Sequence, residues 1–145
     1  MIYRKNITIM LLTVMAFVLL ALGAITIFRG GAKFLGPFQS FSVKIINQSK
    51  HDIVSIETGI IESASAAGIV EGDSKDRSSK TVKSGEEVRI KPKLSLSGEG
   101  AVYLKFSNSG GEEYIKTVCS YTESLSGFSE VTVRDDGITV EEDCR

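Results

Sequence analysis

The sequence predicts an all-β fold, a small antiparallel β-sandwich of about seven strands, preceded by one transmembrane helix. Three observations carry this reading. Residues 7–28 form a run of 22 residues without a charge. Beyond residue 37 the chain is polar, rich in Gly and Ser, and divided into short stretches in which apolar and polar residues alternate. No stretch there holds a helical period over three turns, so the layer that buries one sheet must itself be sheet.

The apolar run comes first in the chain. Its polar side chains are the hydroxyls of Thr8, Thr13 and Thr26, which can bond back to helix carbonyls. As a helix it would be about 33 Å long, enough for a hydrocarbon core of about 30 Å. Arg4 and Lys5 precede it and Arg29 and Lys33 follow it, so basic flanks alone do not set orientation. A short basic start followed directly by an apolar run is also how an export signal begins, which places the amino terminus inside. Ala21-Leu22-Gly23 has the small-x-small form of a cleavage site, and cleavage near Gly23 would make the protein secreted. The apolar run continues through Ile25, Ile27 and Phe28, which favours an uncleaved anchor. The expected organisation is a short cytoplasmic tail (1–6), a signal anchor (7–28), a juxtamembrane linker RGGAKFLGP (29–37) and an extracytoplasmic domain (38–145).

In that domain Phe41, Val43 and Ile45 alternate with polar neighbours, and Val54, Ile56, Thr58 and Ile60 do the same. The turn cluster 47–52 between them predicts a hairpin. Residues 63–68 are small and read as a loop or one helical turn, with Ile69 and Val70 starting a short strand. Residues 72–80 have no large apolar side chain and read as a solvated loop open to binding, carrying Asp73, Asp76 and Arg77. Val88 and Ile90 open another strand, and Pro92, which cannot donate to a ladder, places it at an edge or an end. Val102, Leu104 and Phe106 share one face, with Tyr103 and Lys105 opposite. After the turn at 108–111, Ile115, Thr117, Cys119 and Tyr121 form one face of a return strand and Tyr114, Lys116 and Val118 the other. Asp135-Asp136-Gly137 marks a second hairpin between the strand with Phe128, Val131 and Val133 and a last strand with Ile138 and Val140.

Charge and cysteine usage bound the function. All four basic residues of the first 37 flank the apolar run, which leaves 13 Lys/Arg and 18 Asp/Glu in residues 38–145, a net charge of −5. Such a domain is a poor partner for nucleic acid, which needs basic contacts to phosphate. Cys119 and Cys144, the two cysteines of the chain, both lie on the exported side and are expected to form a structural disulfide.

Sites of chemistry are sparse. His51 is the one histidine, in a turn cluster, and no Gly-x-Ser-x-Gly elbow accompanies it. The three methionines, Met1, Met10 and Met15, all lie at or before the apolar run, which removes a copper site of the His, Cys and Met type. Glu71, Asp73 and Asp76, or Glu141, Glu142 and Asp143, match no EF-hand loop. Adjacent carboxylates such as Glu112 and Glu113 would face opposite ways on a strand. No cofactor and no catalytic residue is expected. Tyr103, Tyr114 and Tyr121, with Asp73, Asp76 and Arg77, are the residues expected at an interaction surface. The functional expectation is a non-catalytic protein-interaction module, anchored in the bilayer through residues 7–28 and binding an envelope or exported protein. It could be an accessory, inhibitor or immunity-type protein. The alternative is a cell-wall or glycan-binding module, which three coplanar exposed tyrosines would favour.

Overall fold

A computed structural model describes residues 14–15, 40–66 and 68–145. The expected cytoplasmic tail (1–6), the expected linker (29–37) and all of the apolar run except Val14 and Met15 lie outside the described residues. Those two residues are helical and exposed. Among the described residues no helix is long and apolar enough to cross a membrane. The chain divides into Met1–Gly36 and Pro37–Arg145, and the second unit is all-β.

Eight strands form two four-stranded sheets. They are β1 (Ser42–Asn47), β2 (Ile53–Ser65), β3 (Gly68–Ser78), β4 (Glu87–Ile90), β5 (Gly100–Asn108), β6 (Glu113–Thr122), β7 (Gly127–Arg134) and β8 (Gly137–Cys144). One sheet has the order β4-β1-β7-β8, the other β3-β2-β5-β6. Both are antiparallel but for β1 and β7, which run parallel; the eight strands agree with the expected all-β fold of about seven, and the parallel pair departs from the antiparallel arrangement expected. Val43, Ile45 and Val131 from the first sheet join Ile56, Leu104, Phe106 and Val118 from the second in one buried cluster. The fold is therefore sandwich-like, with its apolar faces turned toward each other.

The parallel pair has its origin at the turn 47–52. That segment was expected to close a hairpin, and instead it carries the chain from one sheet to the other. Asn47 is buried, and its Nδ2 donates to the carbonyls of His51 and Val82, both at 2.9 Å. Its Oδ1 accepts from the Ser49 amide at 3.1 Å and the Ser49 hydroxyl at 2.7 Å. Strand β2 thus leaves β1, and the two neighbours of β1 come from later in the chain.

Residues 72–80, expected to be a loop, mostly belong to β3, which pairs with β2 at the edge of its sheet. An edge strand held by backbone bonds and facing water outside can lack large apolar residues. Strand β4 is short, and Pro92 follows its end. Beyond it the Lys93 amide donates to Asp76 Oδ2 at 2.9 Å and the Ser95 amide to Ser74 Oγ at 2.7 Å, so side chains of β3 hold the segment. The β5–β6 and β7–β8 hairpins are as expected. Irregular pairing between Ile53 and Ser55 turns Val54 outward, and another irregularity of β6 opposite Val102 and Tyr103 buries both Val118 and Cys119. Strict alternation fails at those two places.

Cys119 and Cys144 form the disulfide, with Cα atoms 6.1 Å apart. It joins β6 to β8, the edge strands of different sheets, and so fastens one side of the sandwich. Gly127 begins β7 at φ +94°, with the Asp143 carbonyl where a β-carbon would stand.

Candidate functional site

The outer face of the β3-β2-β5-β6 sheet carries the densest polar arrangement. Alternation that points Ile56 and Leu104 into the core points Glu57, Gly59, Tyr103 and Lys105 outward. Gly59 is the cross-strand partner of Tyr103. A β-carbon at Gly59 would lie 2.6 Å from the tyrosine ring, so the glycine is what lets that ring lie across β2. Tyr103 is completely buried as a result, although it lies on the face away from the core. Its hydroxyl donates to Glu57 Oε1 at 2.8 Å, and Arg77 Nε donates to Glu57 Oε2 at 2.6 Å. Lys75 and Lys105 bond the two oxygens of Glu71 at 2.7 and 3.2 Å, and Lys105 also reaches Glu113 at 3.4 Å. The chain of charges spans β3, β2, β5 and β6.

These contacts set the protonation states. Burial of Glu57 opposes its ionisation, but the hydrogen bonds from Arg77 and Tyr103 outweigh it and hold the carboxyl below its ordinary range. Glu71 is held low by Lys75 and then Lys105. Burial, followed by the Glu57 hydrogen bond, pushes the Tyr103 phenol well above its ordinary value. The face is a set of fixed ion pairs with neutral Tyr103 at its centre.

A second polar region lies at one end of the sandwich. A cavity of about 230 Å³ is lined by Ser49, His51, Glu112, Tyr114 and Asp135, among others. A serine, a histidine and carboxylates in one cavity are the ingredients of hydrolysis. Here they are already engaged in turns. The Ser49 hydroxyl donates to Asn47 Oδ1, and the Asp135 carboxylate accepts the Lys50 amide at 3.1 Å. Glu112 Oε2 accepts from Asn108 Nδ2 at 2.9 Å and from the Tyr114 hydroxyl at 2.8 Å, which holds Glu112 below its ordinary range.

The third region lies between the edge strands β3 and β4, opposite the disulfide. A cleft of about 550 Å³ is lined by residues 76–80 and 89–91. It gathers Arg77, Lys80, Arg89 and Lys91 around a single carboxylate, that of Asp76.

The expected interaction residues fall in separate places. Tyr103 is buried in the ion-pair face. Tyr114 stacks on Phe106 with ring centroids 5.2 Å apart. Tyr121 is exposed, with its hydroxyl bonded to Glu123 and Glu99, and the Glu123 hydrogen bond leads in pushing its phenol up to about 12. The three tyrosines form no common platform. Arg77 links the outer face to the β3–β4 cleft, Asp76 is tied to the Lys93 amide, and Asp73 is exposed on β3. Glu57, Lys105 and the cations Lys80, Arg89 and Lys91 were not singled out from sequence, and Glu71 was weighed there only as a calcium ligand. The signal that finds them is register between strands far apart in the chain. Among the described residues no group of three or more His, Cys, Asp or Glu is placed to hold a metal ion.

No family model matches the chain, and no curated protein matches it. An NMR structure of a protein from Eubacterium rectale is similar over 74% of this chain and 91% of its own, at 13% identity and a TM-score of 0.44.

Proposed function

We propose that the protein is a single-pass membrane protein whose β domain lies outside the cytoplasm and acts as a non-catalytic protein-interaction module. The uncharged run 7–28 supports the anchor, and the Cys119–Cys144 disulfide supports an oxidising compartment. One observation carries the functional reading. The polar groups around His51 are engaged in holding turns, whereas the ammonium groups of Lys80 and Lys91 in the β3–β4 cleft have no ion-pair partner among the described residues. Side chains bound into the fold serve the fold, and a cleft in which cations outnumber carboxylates, on an acidic domain, is complementary to an acidic partner. The separation of Tyr103, Tyr114 and Tyr121 takes away the tyrosine platform that favoured the glycan reading.

The test is crosslinking in native membranes followed by recovery of the full chain through a tag after Arg145. A protein recovered in stoichiometric amount is the expected result. Recovery of no protein, with binding to purified cell wall instead, would overturn the reading. External protease on intact cells should remove the tag if the topology is as proposed, and a protected tag would refute it.

A further inference from the structure

We propose that the β3–β4 cleft is a docking groove for an acidic protein segment bound in extended conformation. The assignment rests on the interaction-module reading and names the chemistry of the partner. Two features of the cleft point the same way. Arg77 and Lys80 come from one wall and Arg89 and Lys91 from the other, in a domain whose net charge is −5. The Asp76 carboxylate, whose Oδ2 accepts the Lys93 amide, offsets one of these four charges. Arg77 gives its Nε to Glu57, and the nearest partner of Arg89 is the Ser42 hydroxyl at 3.4 Å. Lys80 and Lys91 have no ion-pair partner among the described residues.

The second feature is the backbone. Strand β4 ends its sheet, so among the described residues it has a side on which no further strand pairs, whereas side chains of β3 already hold the amides of Lys93 and Ser95. An extended segment laid along β4 would find main-chain partners there, and its alternate side chains would point to one face. Acidic residues at every second position would then meet Arg89 and Lys91, themselves two residues apart. Lysine on an edge commonly serves to block pairing. That role needs no partner, and under it the acidic peptide used below would not bind. The same cations could hold any polyanion, and the edge backbone is what favours a peptide.

The probe is a fluorescein-labelled ten-residue peptide of alternating Glu and Thr, titrated by anisotropy into the full chain in detergent micelles. Saturable binding is expected, weakening with added salt. Lys80→Glu combined with Lys91→Glu should weaken it by about tenfold or more. Lys116→Glu, an exposed change on β6, should leave it unchanged, and circular dichroism reports whether each variant is folded. The same peptide with N-methylated threonine amides keeps its charge but loses donors, and should bind at least about fivefold more weakly. No saturable binding overturns the proposal. Equal binding of the N-methylated peptide, or of inorganic polyphosphate matched in charge, also overturns it in favour of a general polyanion site. If the peptide fails while the membrane crosslinking still recovers a stoichiometric partner, the groove is wrong and the interaction module stands.

Discussion

Gly59→Ala isolates the contact on which the outer face is built. In an ordinary strand interior, alanine for glycine gains about 0.5–1 kcal/mol, because glycine loses more backbone freedom on folding. At this position the new β-carbon would stand 2.6 Å from Cε1, Cζ and Oη of Tyr103. The ring is fully buried and its hydroxyl is bonded to Glu57, so it cannot move away without losing that bond. Overpacking costs about 1–3 kcal/mol, and a hydrogen bond to a charged acceptor contributes about 1.5–3 kcal/mol. The two penalties are alternatives in part, since a ring that moves relieves the clash by breaking the bond. Offset by the glycine term, the net destabilisation is expected near 2 kcal/mol, or roughly an 8 °C fall in Tm for a domain of this size. The assay is urea and thermal unfolding of the full chain in detergent, followed by circular dichroism. Tyr103→Val removes the ring, and on that background Gly59→Ala should be neutral or stabilising by about 0.5 kcal/mol. The cycle then gives a coupling of about 2–2.5 kcal/mol. A Gly59→Ala protein as stable as wild type with Tyr103 in place would refute the reasoning, as would an equal loss in both backgrounds.

Replacing Cys119 and Cys144 together by serine should remove about 3–4 kcal/mol, from the loop closed across a separation of 25 residues. Unfolding with and without reductant should then coincide for the variant and differ for wild type. Asn47→Ala takes one of two donors from each of the His51 and Val82 carbonyls and the acceptor from the Ser49 amide, and should lower stability by about 1–3 kcal/mol in urea unfolding. The folded state holds the carboxyls of Glu57, Glu71 and Glu112 low, so the stability they lend is complete above the unfolded value of about 4.3 and is lost as pH falls through the folded values. Stability should therefore fall below about pH 4.3, and Glu57→Gln should flatten that fall in pH-dependent unfolding.

The hairpins β5–β6 and β7–β8 were legible because each is local. Asn108 lies at a turn whose geometry its own side chain sets, with Oδ1 accepting the amides of Gly110 and Glu112 at 3.0 Å each. Asp135 and Asp136 join strands that pair in register from Arg134 and Gly137 onward. The turn 47–52 defeats the same logic. Turn-forming residues show that the chain reverses, and say nothing about which sheet it enters next. That choice is made by Asn47, whose amide reaches the Val82 carbonyl 35 residues away. The parallel pairing of β1 with β7 follows from that choice and has no local mark.

Strand β3 shows why the candidate sites were harder to read than the fold. Its charges and small residues fit a solvated loop when judged by composition, and what makes it a strand is the backbone of β2 beside it. Once it is paired, Arg77 stands opposite Glu57, and Glu71 comes within reach of Lys105 on a strand two places away. Lys80 and Lys91 come to share a cleft by the same step. In sequence, each of these residues is a charge on a polar stretch, and the whole domain counts as acidic. Net charge averages over surfaces that the fold separates, so an acidic total is compatible with a cationic groove and carries little information about which partner that groove accepts. Edge strands gather such contrasts because their side chains are selected for neither core packing nor helix formation. A charge on an edge is therefore placed by solubility, by blocking of further pairing, or by a partner. Binding of an acidic segment separates the last of these from the other two, since solubility and blocking need no bound partner.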